Sequence, residues 1–494
     1  MVDRISDLPI PILHHILSFL PTRDVVRTCV LSKHWHSTPS SSFPILEFDI
    51  YEFRSHGDSN NPIKNEAFLR WVDARVERLY ETTDTNILRL KVRVDLLDPR
   101  IFRAIERAIE RNVEQLHLAF HLFYGSLKHQ NMLYYSARSV VVYKLGGIDL
   151  NLPDLLRGCP LVQELNLRSC LLQETTIVND ANKLKTLVFK NCHGMRDFVI
   201  RAPNLESFAY TGGSFCAIHL AQPSSLKSVR LGHFISDQWL QNLIRGCPKL
   251  EFLKINCSGL ERIAICHQRL KSLKLYDCTS NSSGLIKIDT PELLHFAYNG
   301  TTMPFYMFNY SASLKATLKL FRYEEDDAPW FANLRKMLQW FSECETLQLA
   351  PDFYPEDLIF GMDIRDNSIP FVYGLKNLEI QIPFCWPRSP VPFIELIDTY
   401  LWLCPHLETL KIASEDTEEE EAAFKFEREH RKHPGECWKF SMKKVTLVNY
   451  VSRKTDKKLL LSYFQPVSVA METVEDSSDH SKFVAEESPF LSDL

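Results

Sequence analysis

Apolar residues along this chain follow two rhythms, one helical and one with the two-residue period of strands. Between residues 162 and 298 a single register recurs: an apolar residue, two variable residues, a second apolar residue, one variable residue and a third apolar residue. It reads Val162-Leu165-Leu167, Leu184-Leu187-Phe189, Leu205-Phe208-Tyr210, Leu226-Val229-Leu231, Leu250-Leu253-Ile255, Leu270-Leu273-Leu275 and Leu293-Phe296-Tyr298. The middle positions are separated by 22, 21, 21, 24, 20 and 23 residues. The last two apolar positions alternate, which predicts a short strand with both side chains on one face. A unit this short cannot bury its own apolar edge, so the repeat predicts a stacked array. Upstream, Phe68 to Leu79 is helical in period before a strand at Leu88-Leu90-Val92, and Ile101 to Ile109 is helical before Val113-Leu116-Leu118. Val140 to Tyr143 supplies the next strand. Downstream, strands near Leu318-Leu320, Leu347-Leu349 and Leu378-Ile380 alternate with helices at Phe331–Phe341 and Phe393–Leu403.

The first 35 residues have the helical rhythm in compressed form. Leu8-Pro9 opens a helix, because a proline's missing N–H is unpaired in a first turn anyway. Ile12, Leu13, Ile16, Leu17 and Leu20 then share one apolar face. Pro21 stops that helix, and Thr22 or Asp24 can cap a second whose face is Val25, Val26, Cys29 and Val30. Ser32 can cap a third turn carrying Trp35. So few residues cannot bury this much apolar surface among themselves, and a partner is implied.

The period of the central register resembles that of leucine-rich repeats. Turn signals between units fit it: Arg157-Gly158-Cys159-Pro160, Ala202-Pro203-Asn204, Arg245-Gly246-Cys247-Pro248 and Thr290-Pro291-Glu292. Cys170, Cys192, Cys257 and Cys278 fall two or three residues past the strands, where such repeats place Asn or Cys to satisfy buried backbone. The resemblance implies a curved solenoid with strands on the concave face and helices or irregular turns on the convex one.

The N-terminal segment resembles the F-box family. Its motif runs Leu8-Pro9, Ile12-Leu13, Ile16-Leu17, Leu20-Pro21, Val25, Leu31-Ser32-Lys33 and Trp35, with His36 where the family often has Arg. The resemblance implies docking onto a Skp-type adaptor, and through it onto cullin and RING subunits of a ubiquitin ligase. The adaptor-binding residues it implies are Leu8, Pro9, Ile12, Ile16, Leu17, Leu20, Pro21, Val25, Leu31 and Trp35. A C-terminal stretch resembles the FBD module of plant F-box proteins, through Leu375-Leu378-Ile380, Cys404-Pro405-Leu407-Leu410, Glu436-Cys437-Trp438 and Lys444-Val445-Leu447. It departs from that module after Leu459-Leu460-Leu461, where the sequence predicts no closing strand and a tail disordered by composition.

The fold class is therefore α/β. A three-helix F-box (1–46) precedes a curved leucine-rich-repeat solenoid (47–374), FBD-like repeats (375–450) and a partly disordered tail (451–494). Composition agrees: 45% apolar and 24% charged residues are those of a globular protein. A net charge of −5 with scattered basic residues gives no nucleic-acid footprint. Thirteen cysteines, an odd number over a long chain, suit reduced thiols and a nuclear or cytoplasmic setting. No run reaches the roughly 18 apolar residues of a membrane span. The run from Glu415 to Glu421, followed by Arg428, Arg431 and Lys432, reads as a solvated segment.

Nothing points to catalysis, a cofactor or a metal. Phosphate loops, dinucleotide glycine patterns and nucleophile elbows are missing from a sequence with 16 glycines. His14-His15, His34-x-His36 and the loose set Cys437, His430 and His433 lack a ligand set at metal spacing. The expected role is a non-catalytic substrate-recognition subunit holding a protein target on the repeat surface. Two rivals remain: a small-molecule receptor using a basic concave patch of Arg168, Lys190, Arg230, Lys254 and Lys274, and a scaffold outside any ligase.

Overall fold

The apolar register reappears in space as two columns of stacked side chains. The computed structural model describes residues 5, 8–20, 22–31, 35, 43–54, 61–82, 87–121, 137–179, 181–212, 216–221, 223–233, 235–278, 286–301, 305–322, 327–351, 358–359, 372–382, 391–414, 424–425, 441–448 and 470–474. They form two compact units: residues 1–233 with 245–249, and residues 234–244 with 250–494.

In the first unit eight strands pair in chain order, each parallel to the next. They are β1 (Ile45–Asp49), β2 (Arg89–Val94), β3 (Gln115–Phe120), β4 (Val142–Gly146), β5 (Glu164–Arg168), β6 (Thr186–Lys190), β7 (Ser207–Thr211) and β8 (Ser228–Leu231). Leu90, Leu116, Tyr143, Leu165, Leu187, Phe208 and Val229 share one row of this register, and all are fully buried. Each such side chain contributes about 1.5–3 kcal/mol of transfer free energy. The cysteines past the strands meet backbone as expected: the Cys170 thiol donates to Arg168 O at 3.4 Å and the Cys192 thiol to Leu167 O at 3.4 Å.

What lies behind the strands follows unit length. The 26 residues from Leu90 to Leu116 leave room for helix Pro99–Glu110, capped by Asp98 and burying Ile101, Ala104, Ile105 and Ala108. The 21 residues from Leu187 to Phe208 do not, so this layer is a second three-stranded parallel sheet of Thr175–Val178, Asp197–Arg201 and Ala217–Ala221. Between these extremes, the short helix Leu152–Gly158 ends in the Gly158-Cys159-Pro160 turn, with Cys159 buried. After β4 the chain passes so close to β3 that a Cβ on Gly147 (φ 69°) would sit 1.9 Å from Phe120 O, so only glycine fits.

The second unit repeats the plan with nine parallel strands. They are β9 (Phe252–Asn256), β10 (Ser272–Cys278), β11 (His295–Gly300), β12 (Lys315–Leu320), β13 (Thr346–Pro351), β14 (Asn377–Ile382), β15 (Thr409–Ser414), β16 (Lys444–Val448) and β17 (Ala470–Val474). Leu253, Leu273, Phe296, Ala316, Leu347, Leu378, Leu410 and Val445 share a row. Short strands Ile263–Cys266, Ile286–Asp289 and Phe305–Asn309 back the tighter units. Helices Asp327–Gln339 and Phe393–Leu403 back the longer ones.

Several expectations change. Ile45–Asp49 is a strand of the sheet, so the 46/47 boundary falls inside it. In β2 the register begins at buried Ile87 rather than Leu88, which is 37% exposed. A closing strand exists after all: Ala470–Val474 pairs with Lys444–Val448, because an open edge recruits backbone without needing the apolar register. The backing layer of short units is strand rather than irregular turn. Of the third N-terminal helix only Trp35 is described; Glu436, Cys437, Trp438, the acidic run and residues 475–494 also lie outside the described residues.

One polar knot fixes the start of the first unit. Arg54, buried just past β1, donates from Nη1 to Asp95 Oδ2 at 2.6 Å and from Nε to Asn65 Oδ1 at 3.0 Å. Arg54→Ala strands the part-buried Asp95 carboxylate and is expected to cost about 3–5 kcal/mol in urea unfolding. Adding Asp95→Ala should restore part of that loss; equal stability of Arg54→Ala and wild type would contradict the assignment.

Candidate functional sites

The first site is the surface of the N-terminal helices. Pro9 (φ −56°) and Pro11 set the entry of helix Ile10–Leu17. Its apolar residues divide into two stripes. Leu13 and Leu17 turn inward and pack with Val25, Trp35, Phe43 and Ile45, with Leu8 half-buried against them. This core includes the first residue of β1, so it is what seats the helices on the repeats. Ile12, Ile16 and Leu20 turn outward and stay exposed. The ten residues implied by the motif thus separate. Leu17, Val25 and Trp35 are enclosed by the chain itself, Leu8 is partly enclosed, Pro9, Ile12, Ile16, Leu20 and Leu31 are exposed, and Pro21 lies outside the described residues.

Among the described residues of this segment, four exposed large apolar residues were not in that set: Ile5, Ile10, Phe19 at 75% and Val30 at 86%. Val30, expected on the inner face of the second helix, points out for a geometric reason. Helix Thr22–Arg27 gives way to a 3₁₀ turn over Thr28–Val30, and its tighter winding rotates the last residue off the inner stripe. His15 lies edge-on to Phe19 at 5.2 Å and His14 edge-on to Phe43 at 5.7 Å, so both rings serve packing. Among the described residues no group of three or more His, Cys, Asp or Glu is placed to hold a metal ion. No described helix is long and apolar enough to cross a membrane.

The second site is the outward face of the first unit's sheet, formed by residues that alternate with the buried rows. Arg168 and Lys190 are register neighbours there, both half-buried, and Arg230 donates to Ser228 Oγ at 3.1 Å. The other two cations of the expected basic patch belong to the second unit. Lys254 is only 8% exposed, its ammonium 4.7 Å from the Tyr276 ring centroid, and Lys274 is half-buried next to it. Lys254 is therefore not an open cation.

His117 was not singled out by sequence; the available signal was its position between Leu116 and Leu118. It sits in register between Lys91 and Lys144, with Nε2 buried and unbonded. Burial first, then the charges of Lys144, Arg89 and Lys91, push its pKa down to about 4. His121 is lowered by burial and by Arg93 and Arg168, which face it from two strands.

Two outcomes follow from these placements. Leu17→Ala should cost about 2–5 kcal/mol of stability in the unfolding midpoint, whereas Ile16→Ala, which opens no internal cavity, should stay within about 0.5 kcal/mol. The depressed His117 pKa leaves full stability above its ordinary value of 6.5. As pH falls from there toward about 4, the unfolded chain takes up a proton that the folded chain refuses, and stability is lost. His117→Gln should therefore show a smaller drop in melting temperature between about pH 7 and pH 5 than wild type.

Comparison with known proteins bears on both sites. Residues 5–43 match the F-box domain, and residues 216–461 match the family described as At1g61320/AtMIF1, LRR domain. The latter span runs through the stretch that resembles the FBD module. F-box protein At3g59000 of Arabidopsis thaliana is 23% identical over 331 residues, covering 55% of this chain and 66% of the relative. F-box/LRR-repeat protein 13 is 22% identical over 443 residues (85% and 78%), and F-box/LRR-repeat protein 25 is 29% identical over 192 residues (34% and 68%), both from Arabidopsis thaliana. For several such relatives, At3g59000 included, the match spans less than two thirds of the relative's own length. An F-box domain at one end, a leucine-rich-repeat domain beyond it and relatives of the same plant type together make this chain a member of the F-box/leucine-rich-repeat protein family.

Proposed function

We propose that the chain is a non-catalytic substrate-recognition subunit of a Skp–cullin–F-box ubiquitin ligase, acting in the nucleus or cytoplasm. F-box/leucine-rich-repeat proteins generally are adaptors of this kind. The observation that carries the reading is the outward apolar stripe of Ile12, Ile16 and Leu20, extended by Phe19, Val30 and Leu31. These side chains are held open by a core that uses the alternate helix positions. Large apolar residues clustered on a rigid helical face mark a protein interface. Leu17, Val25 and Trp35 support that face from beneath, while Pro9, Ile12, Ile16, Leu20 and Leu31 make the adaptor contact.

The mechanism is positional. The helices dock on a Skp-type adaptor, the adaptor joins cullin and RING subunits, and the repeats hold a target protein. Residues 375–450 serve as the FBD-like last repeats. A lysine of the target is then presented to the charged ubiquitin carrier as if it were part of the same molecule, which replaces a bimolecular encounter. The chain itself contributes no reacting group.

The test is co-expression with the adaptor. Ile12→Asp with Ile16→Asp changes exposed positions only, so the melting temperature should hold while recovery of adaptor falls at least about tenfold, about 1.4 kcal/mol. Leu8→Ala with Pro9→Ala should weaken recovery by severalfold. Undiminished adaptor recovery with Ile12→Asp/Ile16→Asp, in a chain that melts normally, would sink the assignment.

A further inference from the structure

The outward face of the first unit's sheet is cationic on a chain whose net charge is −5. Its acids are already engaged: Glu47 lies 3.7 Å from Arg89, Asp49 3.3 Å from Arg93 and Glu164 3.8 Å from Lys144. Lys91, Arg168 and Lys190 are left on the same face with no ion pair among the described residues. Between Arg93 and Arg168 the row carries no other charge. Arg93, Ala119, Gly146 and Arg168 are consecutive in register, so a methyl group and a hydrogen floor the space between two guanidinium groups. His117 faces the same side, its Nε2 buried and unbonded.

We propose that this face binds an extended, carboxylate-rich peptide segment of the target protein, lying across strands β2 to β6. The inference rests on the reading of the repeats as the target-holding part. Lys91 and Lys190 are four strand spacings apart, about 19 Å at about 4.8 Å each. No single small anion bridges that distance, whereas about six residues of extended chain span it. The same outward row continues from Lys144 through Asn166 to Val188, an amide and an apolar surface that suit a peptide better than a chain of phosphates. Carboxylates along the segment meet Lys91, Arg168 and Lys190. The neutral His117 ring offers its unused nitrogen as an uncharged hydrogen-bond partner.

Fluorescence anisotropy on the full chain tests this with a peptide of about eight alternating Asp and Glu residues carrying a zwitterionic dye, long enough to cross the face. A matched Asn/Gln peptide and an oligothymidine of similar length are the other probes. The acidic peptide should bind at least about tenfold more tightly than the amide peptide, with affinity falling as salt rises. Gly146→Glu should cut that affinity by about tenfold or more. Its added Cβ would lie 3.5 Å from Arg168 O, ordinary contact, so a carboxylate of the peptide's own sign is set between Arg93 and Arg168 without a backbone clash. Lys190→Gln removes a single half-exposed ammonium and should weaken binding by about threefold; it probes the same contact if Gly146→Glu does not fold. Adaptor recovery should be unchanged in both variants, which separates failure here from failure of the ligase assignment. Equal affinity for the two peptides, tighter binding of oligothymidine, or full affinity in Gly146→Glu or Lys190→Gln would overturn the proposal.

Discussion

Everything in this molecule depends on a unit that cannot stand alone. One strand presents two apolar side chains to one face, such as Leu187 and Phe189, and nothing within its own 21 or so residues can cover them. They are covered by Leu165 and Leu167 on one side and Phe208 and Tyr210 on the other. Each unit is therefore stable only as a member of the stack, and each stack needs a first and last member that differ. In the first unit the first described strand is β1, whose Ile45 is shared with the core of the N-terminal helices. In the second unit the last described strand is Ala470–Val474, joined to its neighbour by backbone pairing.

The same alternation decides which residues are available for function. Inward positions are committed to the stack or to the helical core, and only the positions between them meet other molecules. On the N-terminal helices this separates Leu13 and Leu17 from Ile12 and Ile16, neighbours in sequence with opposite fates. On the sheet it separates Leu116 and Leu118 from His117, whose pKa is pushed down to about 4 by burial and by Lys144, Arg89 and Lys91. One surface is apolar and the other cationic, so the two suit partners of different chemistry.

Much of this was legible in the sequence, and for a definite reason. The seven recurring triplets from Val162 to Tyr298 are buried in register because period and alternation are local properties that survive folding. The hidden parts depend on context. Ile45–Asp49 does carry the triplet, as Phe43-Leu46-Phe48 with Leu46 and Phe48 facing Leu90 and Val92, but Phe43 and Ile45 also belong to the core of the N-terminal helices, so the strand reads as part of that segment. The backing strands, such as Asp197–Arg201, are set by how little chain remains between two sheet strands rather than by their own pattern. The motif at the N-terminus named ten residues for one contact, but a motif records what is needed, not which way it points. Trp35 and Val25 are needed inside. Lys254 likewise looked like an open cation and instead lies under Tyr276.

The outward helical stripe is the docking face in this account, while the sheet face is kept for a different partner. Backbone hydrogen exchange of the full chain, free and bound to the Skp-type adaptor, tests that division most directly. The expected result is slowed exchange confined to residues 10–20 and 28–31, with the strands from Arg89 to Lys190 unchanged. Protection that appears across those strands, or that leaves the helices untouched, would contradict it.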